Sequence, residues 1–286
     1  MKRTVDLHTH SCVSDGTLTP AELADYAYKH NLSAIALTDH DTVKGIPEAQ
    51  KAADSLRADG ADFRLVPGVE LSLGFGKKDI HMLGLFIDPA SEKLTKALLE
   101  AEQERNDRNR KMADNLANAG IDITYEKLLE FCGDAIITRA HFGKYMVARG
   151  IVSTMKEAFN KYLSQDGPYY VSRNYLSPEE GIDLIRQAGG VPVLAHPLLY
   201  HLSDQDLDML VHRLSDHGLK GIEAIYSNNL GKDEEKVRAL AGKYHLKISG
   251  GSDFHGQNKP LIEIGTGKHN LYIPYSILED LESILE

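Results

Sequence analysis

Short apolar runs of strand character alternate with helical segments over residues 4–85, and the same alternation resumes near Val191 after a long helical interruption. A chain that repeats strand and helix builds a largely parallel sheet, because parallel neighbours need a crossover connection and the helix supplies it. The strand runs are Thr4-Val5-Asp6-Leu7-His8, Ala34 to Thr38, Arg64 to Leu71, Ile80 to Leu85, Val191 to Ala195, Gly221 to Ile225 and Leu246 to Gly250. A first helix opens at Thr19-Pro20-Ala21-Glu22, with Thr19 as N-cap, Pro20 at the first helical position and Glu22 closing a capping box. Others follow over Ile46 to Asp59 (closed by Gly60), Asp204 to His217, Lys232 to Tyr244, and in the tail from Tyr275 to Glu286. From Ser91 to Leu163 the pattern is helical throughout, and the highly charged stretch Glu100 to Lys111 reads as a solvated helix face. The expectation is an α/β barrel over residues 1–90 and 175–286, interrupted by a helical insertion over 91–174. A length of 286 residues accommodates that plan.

Composition narrows the class. With 42% hydrophobic and 26% charged residues the chain is an ordinary globular protein. No apolar run is long enough to span a membrane, and Met1-Lys2-Arg3 is not followed by the apolar core of a signal peptide. Two cysteines, Cys12 and Cys132, make no disulfide framework. The expected address is therefore the cytoplasm, with no membrane partner. A net charge of -10 argues against a duplex DNA ligand. It does not argue against a small anionic ligand, since bound cations can dominate a local field.

Histidine placement carries the chemistry. The chain has 13 histidines. A buried histidine is ordinarily a hydrogen-bonded core residue, and His30, His201, His212, His217, His245 and His269, on polar helix faces or loops, fit that ordinary role. His8, His10, His40, His81, His196 and His255 are different, because each lies at or just beyond a strand run and several stand beside acids. The loops after the strands form the active face of an α/β barrel. Asp6, His8 and His10 alternate along an extended segment and so share a face. With Asp15, Glu70 and Asp253 added, the candidate metal-ligating set is His8, His10, Asp15, His40, Glu70, His81, His196, Asp253 and His255. So many nitrogen and oxygen donors suit two to three divalent cations rather than one, and the lack of thiolates favours Mn, Fe or Zn, with Mg behind them. Asp6, Asp39 and Asp41 are expected to orient ligands, at least one of the last two acting on His40. The three carboxylates of the set under-neutralise three divalent ions, and a hydroxide with a phosphate monoester dianion would balance the remainder. Such ions activate water and hold phosphoryl oxygens.

These residues resemble the PHP (polymerase and histidinol phosphatase) family. Asp6-Leu7-His8-Thr9-His10-Ser11 is similar to its first motif and Thr38-Asp39-His40-Asp41 to its second; Pro67-Gly68-Val69-Glu70 carries a bridging glutamate. Ala195-His196-Pro197 and Gly251-Ser252-Asp253-Phe254-His255-Gly256 are similar to the third and fourth. The resemblance implies a distorted (β/α)7 barrel with a trinuclear centre at the strand ends. One ion would take His8, His10, Glu70 and Asp253, a second Glu70, His81 and His196, and a third Asp15, His40 and His255.

Ser14 to Pro20 and the helical insertion are similar to the stand-alone bacterial branch acting on nucleotides. That branch includes 3′,5′-nucleotide bisphosphate phosphatases and 5′–3′ exonucleases of short RNA. By this resemblance the insertion closes over the metal site and Thr138-Arg139-Ala140-His141 contacts substrate, and a helix N-terminus with an arginine suits phosphate on physical grounds. Arg173 and Asn174 are weaker contacts, and Tyr169 and Tyr170 are core or base-packing residues. The implied function is metal-dependent hydrolysis of a nucleotide phosphate monoester by a metal-activated hydroxide, taking a 3′,5′-bisphosphate to a 5′-nucleotide. Alternatives are an exonuclease on short oligoribonucleotides, a histidinol-phosphate-type phosphatase, an amide or lactone hydrolase, and a non-catalytic metal-binding module.

Overall fold

The strands of this computed structural model order themselves as the chain does: one sheet, β1-β2-β3-β4-β5-β6-β7. The described residues are 3–76, 78–133, 135–164, 166–172 and 174–285. Strands β1 (Val5–Thr9), β2 (Ala34–Leu37) and the first part of β3 (Arg64–Phe75) pair in parallel, with Val5 opposite Ala34 and Ile35 opposite Leu65. The helices that make those crossovers are α1 (Pro20–Lys29) and α2 (Ile46–Ala58). The Thr19 hydroxyl accepts from Glu22 N, and the Glu22 carboxylate accepts from Thr19 N at 2.8 Å, so the capping box of α1 forms as its sequence directs. Such a cap contributes about 1 kcal/mol.

At β3 the pattern changes. β3 turns straight into β4 (Lys78–Leu85), and the two pair antiparallel with Glu70 opposite Leu83 and Ser72 opposite His81. β4 is antiparallel also to β5 (Val191–Leu194). The remaining strands, β6 (Gly221–Tyr226) and β7 (Lys247–Gly251), return to parallel pairing. Just beyond β7 the chain meets β1 again: Asp253 N–H donates to His8 O at 2.9 Å and His10 N–H to Phe254 O at 3.0 Å, so the barrel is nearly closed. The expected distorted α/β barrel is therefore present, and its distortion is a single reversed strand.

The chain divides into two compact units, Met1–Lys96 with Leu176–Glu286, and Ala97–Tyr175. In the first, Val5, Leu7, Ala34, Ala36, Val191, Val193 and Ala195 pack together as alternate residues of their strands, joined by Ile277, Leu278 and Leu281 of the C-terminal helix. The second contains most of α3 (Glu92–Asn118) with α4 (Tyr125–Cys132), α5 (Arg139–Ala148), α6 (Met155–Ala158) and a π-helical turn, Phe159–Leu163. Its core is Met112, Leu116, Leu128, Phe142, Tyr145, Met146 and Leu163, with Tyr169 and Tyr170 packed against it. The expectation of a solvated face over Glu100 to Lys111 is corrected here. Arg105, Arg108 and Asn109 are buried, and Asn109 donates its amide to Ile137 O at 2.8 Å. Spaced three and four apart, they lie on one side of the helix. The first unit is completed by α7 (Pro178–Gln187), absent from the sequence reading, and by α8 (Asp204–His217), α9 (Asp233–Lys243) and α10 (Tyr275–Glu282). No described helix is long and apolar enough to cross a membrane.

Candidate metal centre

The strand ends bring the candidate ligands together. His8 lies in β1 with His10 and Asp15 in the loop beyond it, His40 follows β2, Glu70 is in β3, His196 follows β5, and Asp253 and His255 follow β7. His81 joins them by another route. Because β4 runs backwards, its N-terminal half lies where the parallel strands end, so His81 enters from early in its strand.

Two backbone features make this convergence possible. A Cβ on Gly251 would lie 2.2 Å from His8 Cβ, so only glycine lets β7 pass so close to the imidazole-bearing segment. His196 and Asp253 hold φ angles of 26° and 58°, in the region that L side chains rarely adopt. Strain of this kind persists only where surrounding structure over-determines it, and it clusters at functional sites.

Glu70 is at the centre, fully buried. Its Oε2 lies 3.2 Å from both His8 Nε2 and His10 Nε2, and those two nitrogens are 3.1 Å apart. Its Oε1 accepts from His81 Nδ1 at 2.8 Å and from His196 Nε2 at 2.9 Å. Asp253 Oδ1 faces His10 Nε2 at 3.4 Å and His8 Nε2 at 3.7 Å. Asp15 Oδ1 sits 3.1 Å from His255 Nε2 and 3.9 Å from His40 Nε2. Donor atoms within 4.8 Å of one another form four overlapping sets: His10, Asp15, His40 and His255; His8, Glu70 and His196; His8, His10 and Asp253; and His40, Glu70 and His81.

The donors fit cations better than they fit one another. Among the described residues, His10 Nδ1, His196 Nδ1 and Glu70 Oε2 are buried without a hydrogen-bond partner. His40 Nδ1 lies 3.0 Å from Glu70 Oε2 yet out of hydrogen-bonding alignment. Buried polar atoms left so are costly unless something else satisfies them. The electrostatics agree. Burial opposes charge on Glu70, but His40, His8 and His81 outweigh it and hold its carboxyl well below the usual range. Burial likewise opposes charge on Asp15 and Asp253. His255 and His40 for the former, and Lys259 and His255 for the latter, hold both well below it. Burial also disfavours protonated His10, yet Asp253 and Glu70 raise it to about 9, while burial takes His40 down to about 3. A dense set of anionic oxygens and imidazoles of opposite tendency is a candidate site for divalent ions.

The acids expected to orient ligands hydrogen-bond to segments near the ligands. Asp6 accepts from Ser252 N at 2.8 Å, Ser252 Oγ at 2.5 Å and Gly265 N at 2.8 Å, holding the segment that leads into Asp253. Asp39, expected to steer His40, is turned to the loop after β1, where it accepts from Ser11 N at 2.8 Å, Ser11 Oγ at 2.6 Å and Ser14 Oγ at 2.7 Å. Asp41 accepts from Ser72 N at 2.8 Å. Three contributors escaped the sequence reading. Glu223, buried in β6, accepts from His8 Nδ1 at 3.0 Å. Tyr226 Oη and Lys259 Nζ both donate to Asp253 Oδ2, at 2.8 and 2.6 Å. A glutamate amid the apolar run Gly221 to Ile225 was the available signal for the first, since an unpaired buried carboxylate is rare.

The residues expected to contact substrate lie in the helical unit. Thr138 caps α5, and its N–H donates to His141 Nδ1 at 3.0 Å, which fixes the neutral imidazole in its Nε2–H form. The Arg139 guanidinium lies 5.4 Å from the Tyr170 ring centroid. Asn174 donates to Glu104 at 3.4 Å, and Arg173 lies outside the described residues.

A barrel whose strand ends gather imidazoles and carboxylates around a buried glutamate has the architecture of a metal-dependent hydrolase. The chain belongs to the PHP domain family, whose pattern matches residues 6–169. It is 35% identical to a 5′-3′ exoribonuclease of Salmonella typhimurium over 272 residues, 95% of this chain and 90% of that protein. It is 36% identical to a 3′,5′-nucleoside bisphosphate phosphatase of Chromobacterium violaceum over 262 residues, 91% of this chain and 90% of that one. Among solved structures it is similar to an amidohydrolase from Chromobacterium violaceum with bound sulfate and no metal. That match has a TM-score of 0.87 and 34% identity, and covers 98% of this chain and 96% of the other.

Proposed function

We propose that this protein removes the 3′-phosphate of a nucleoside 3′,5′-bisphosphate, giving the 5′-nucleotide and phosphate. The chain is a hydrolase of phosphoester bonds of the PHP family. One observation carries the reading at the site: His8 Nε2 and His10 Nε2 both converge on Glu70 Oε2, with Asp253 Oδ1 beside them. In this reading His8, His10, Glu70 and Asp253 hold one ion, Glu70, His81 and His196 a second, and Asp15, His40 and His255 a third, with Mn, Fe or Zn as the metals. Divalent ions so held supply Lewis-acid chemistry, which activates water and neutralises phosphoryl oxygens.

The chain's own residues do the rest. Asp6 and Asp39 fix the segments bearing Asp253 and His10, so the donors need no reorganisation when substrate arrives. Lys259 adds a positive charge beside Asp253 for an anionic ester. In this reading Thr138, Arg139 and His141 recognise the second phosphate, with Arg173 assisting. The Nε2–H of His141 and the Arg139 guanidinium suit that task as donors. The placement is cytoplasmic.

A second reading has a specific basis. The match to a 5′-3′ exoribonuclease is about as close as that to the bisphosphate phosphatase. A short single-stranded RNA with a 5′-phosphate would present the same end, with a 3′ phosphodiester in place of the 3′ phosphate monoester. Phosphate release from adenosine 3′,5′-bisphosphate and mononucleotide release from a five-nucleotide RNA, compared at saturating Mn2+, separate the two. Faster turnover of the bisphosphate supports the phosphatase, and faster trimming of the RNA replaces it with the exonuclease.

A further inference from the structure

Glu223 sits within β6 with no exposure to solvent. Two donors from different parts of the barrel converge on it. His8 Nδ1, from β1, donates to Oε1 at 3.0 Å, and His196 N–H, just beyond β5, donates to Oε2 at 2.7 Å. The two imidazoles stack with centroids 5.6 Å apart and 24° between planes. Only a group that accepts at both ends satisfies this arrangement. A carboxylate does, whereas a carboxamide accepts at one end and donates at the other.

We propose that Glu223 is a positioning residue for the metal centre. It keeps a proton on His8 Nδ1, so that Nε2, which faces Glu70 and Asp253, is the nitrogen that gives up its proton to ligate. It also ties down the turn that carries His196 at its unusual φ of 26°. The inference rests on the metal reading given above.

The nearly isosteric Glu223→Gln is therefore not conservative. If the amide oxygen keeps the His196 N–H, the NH2 faces His8 Nδ1. That nitrogen must then accept, the ring proton moves to Nε2, and the ligating position is closed. If the amide is turned over, two donors oppose each other in a dry site and the His196 turn loses its anchor. Glu223→Asp accepts at both oxygens and lacks only reach.

The test is calorimetric titration of full-length wild type, E223Q and E223D with Mn2+, with the melting temperature of each metal-free protein alongside. E223Q should bind Mn2+ roughly 10–100-fold more weakly, with a melting temperature close to wild type, and E223D should recover part of the loss. Should E223Q not fold, E223D must still bind more weakly than wild type, and equal affinity overturns the proposal. Wild-type affinity in a folded E223Q, or equal losses in the two variants, overturns it as well. If wild type takes up no Mn2+, the metal reading falls and this inference with it; uptake by wild type matched by E223Q sinks this inference alone.

Discussion

Lys259 Nζ lies 2.6 Å from Asp253 Oδ2, which leaves the other carboxylate oxygen, Oδ1, to His8, His10 and His255. Tyr226 shares Oδ2, and burial followed by the neighbouring Asp253 and Glu223 keeps its phenol protonated as a donor. Asp253 is thus split between a clamp and the centre. Lys259→Met removes the cation while Tyr226 remains. The lysine is more than a third exposed, so screening limits the stability loss to about 1 kcal/mol. The larger effect should fall on an anionic substrate: KM for a phosphate ester rises roughly tenfold, about one charge-assisted hydrogen bond, with kcat changed less. Steady-state kinetics at saturating metal check this, and an unchanged KM contradicts it.

Gly251 is where the barrel is tightest. An added methyl would meet His8 Cβ at 2.2 Å and His8 N at 2.7 Å, both fixed to the backbone of β1. No rotamer relieves such a clash. Gly251→Ala should cost about 3 kcal/mol or more, at the upper end for overpacking, and should weaken metal uptake because His8 is what moves. Urea unfolding of the metal-free protein reads the first effect. A loss below about 0.5 kcal/mol, the usual range for a harmless surface change, would show that the strands yield easily.

Protons and cations compete for His8 and His10. Burial disfavours the charged rings, but Glu70, Glu223 and Asp253 hold His8 well above its ordinary value of 6.5, and Asp253 and Glu70 carry His10 to about 9. Ligation requires those protons to leave. Apparent metal affinity should therefore rise as pH increases from 6.5 to 9, with proton release visible as a calorimetric heat that depends on the buffer. His10 gives the metal-free protein stability that is full below about pH 6.5 and lost as pH rises through about 9, because its folded pKa lies above the unfolded one, and His8 acts in the same direction. Metal affinity independent of pH across this window would contradict the assignment.

Recognition of a second phosphate predicts a selective defect. Arg139→Ala should raise KM for a nucleoside 3′,5′-bisphosphate by tenfold or more, about the value of an arginine–phosphate contact, and leave KM for a mononucleotide nearly unchanged. Equal effects on both would remove Arg139 from phosphate recognition.

The legible part of this protein was local. The capping box at Thr19 and Glu22, the strand runs and the alternating His8 and His10 are written in neighbouring residues, and periodicity reveals them. The candidate donors were legible because chemistry restricts them to few residue types, most of them near or just beyond the ends of strand runs. What escaped was tertiary. The reversal of β4 depends on a hairpin register that no short pattern encodes, although it is what delivers His81. Arg105 and Arg108 read as solvated because charge counts ignore what packs on a helix. Asp39 pairs with Ser11 and Ser14 rather than His40, a choice made by how the loops after β1 and β2 meet. Lys259 and Glu223 act on residues hundreds of positions away or across a loop, so only the closed barrel shows their partners.

The most direct test is phosphate release from adenosine 3′,5′-bisphosphate by the metal-free protein, before and after Mn2+ is restored, for wild type and Asp253→Asn. Wild type should be inactive without metal and recover with Mn2+, while the variant should stay at least 100-fold slower, as expected for loss of a ligand to an ion that stabilises the transition state. Full wild-type turnover without metal, or full turnover by Asp253→Asn with it, would contradict the account.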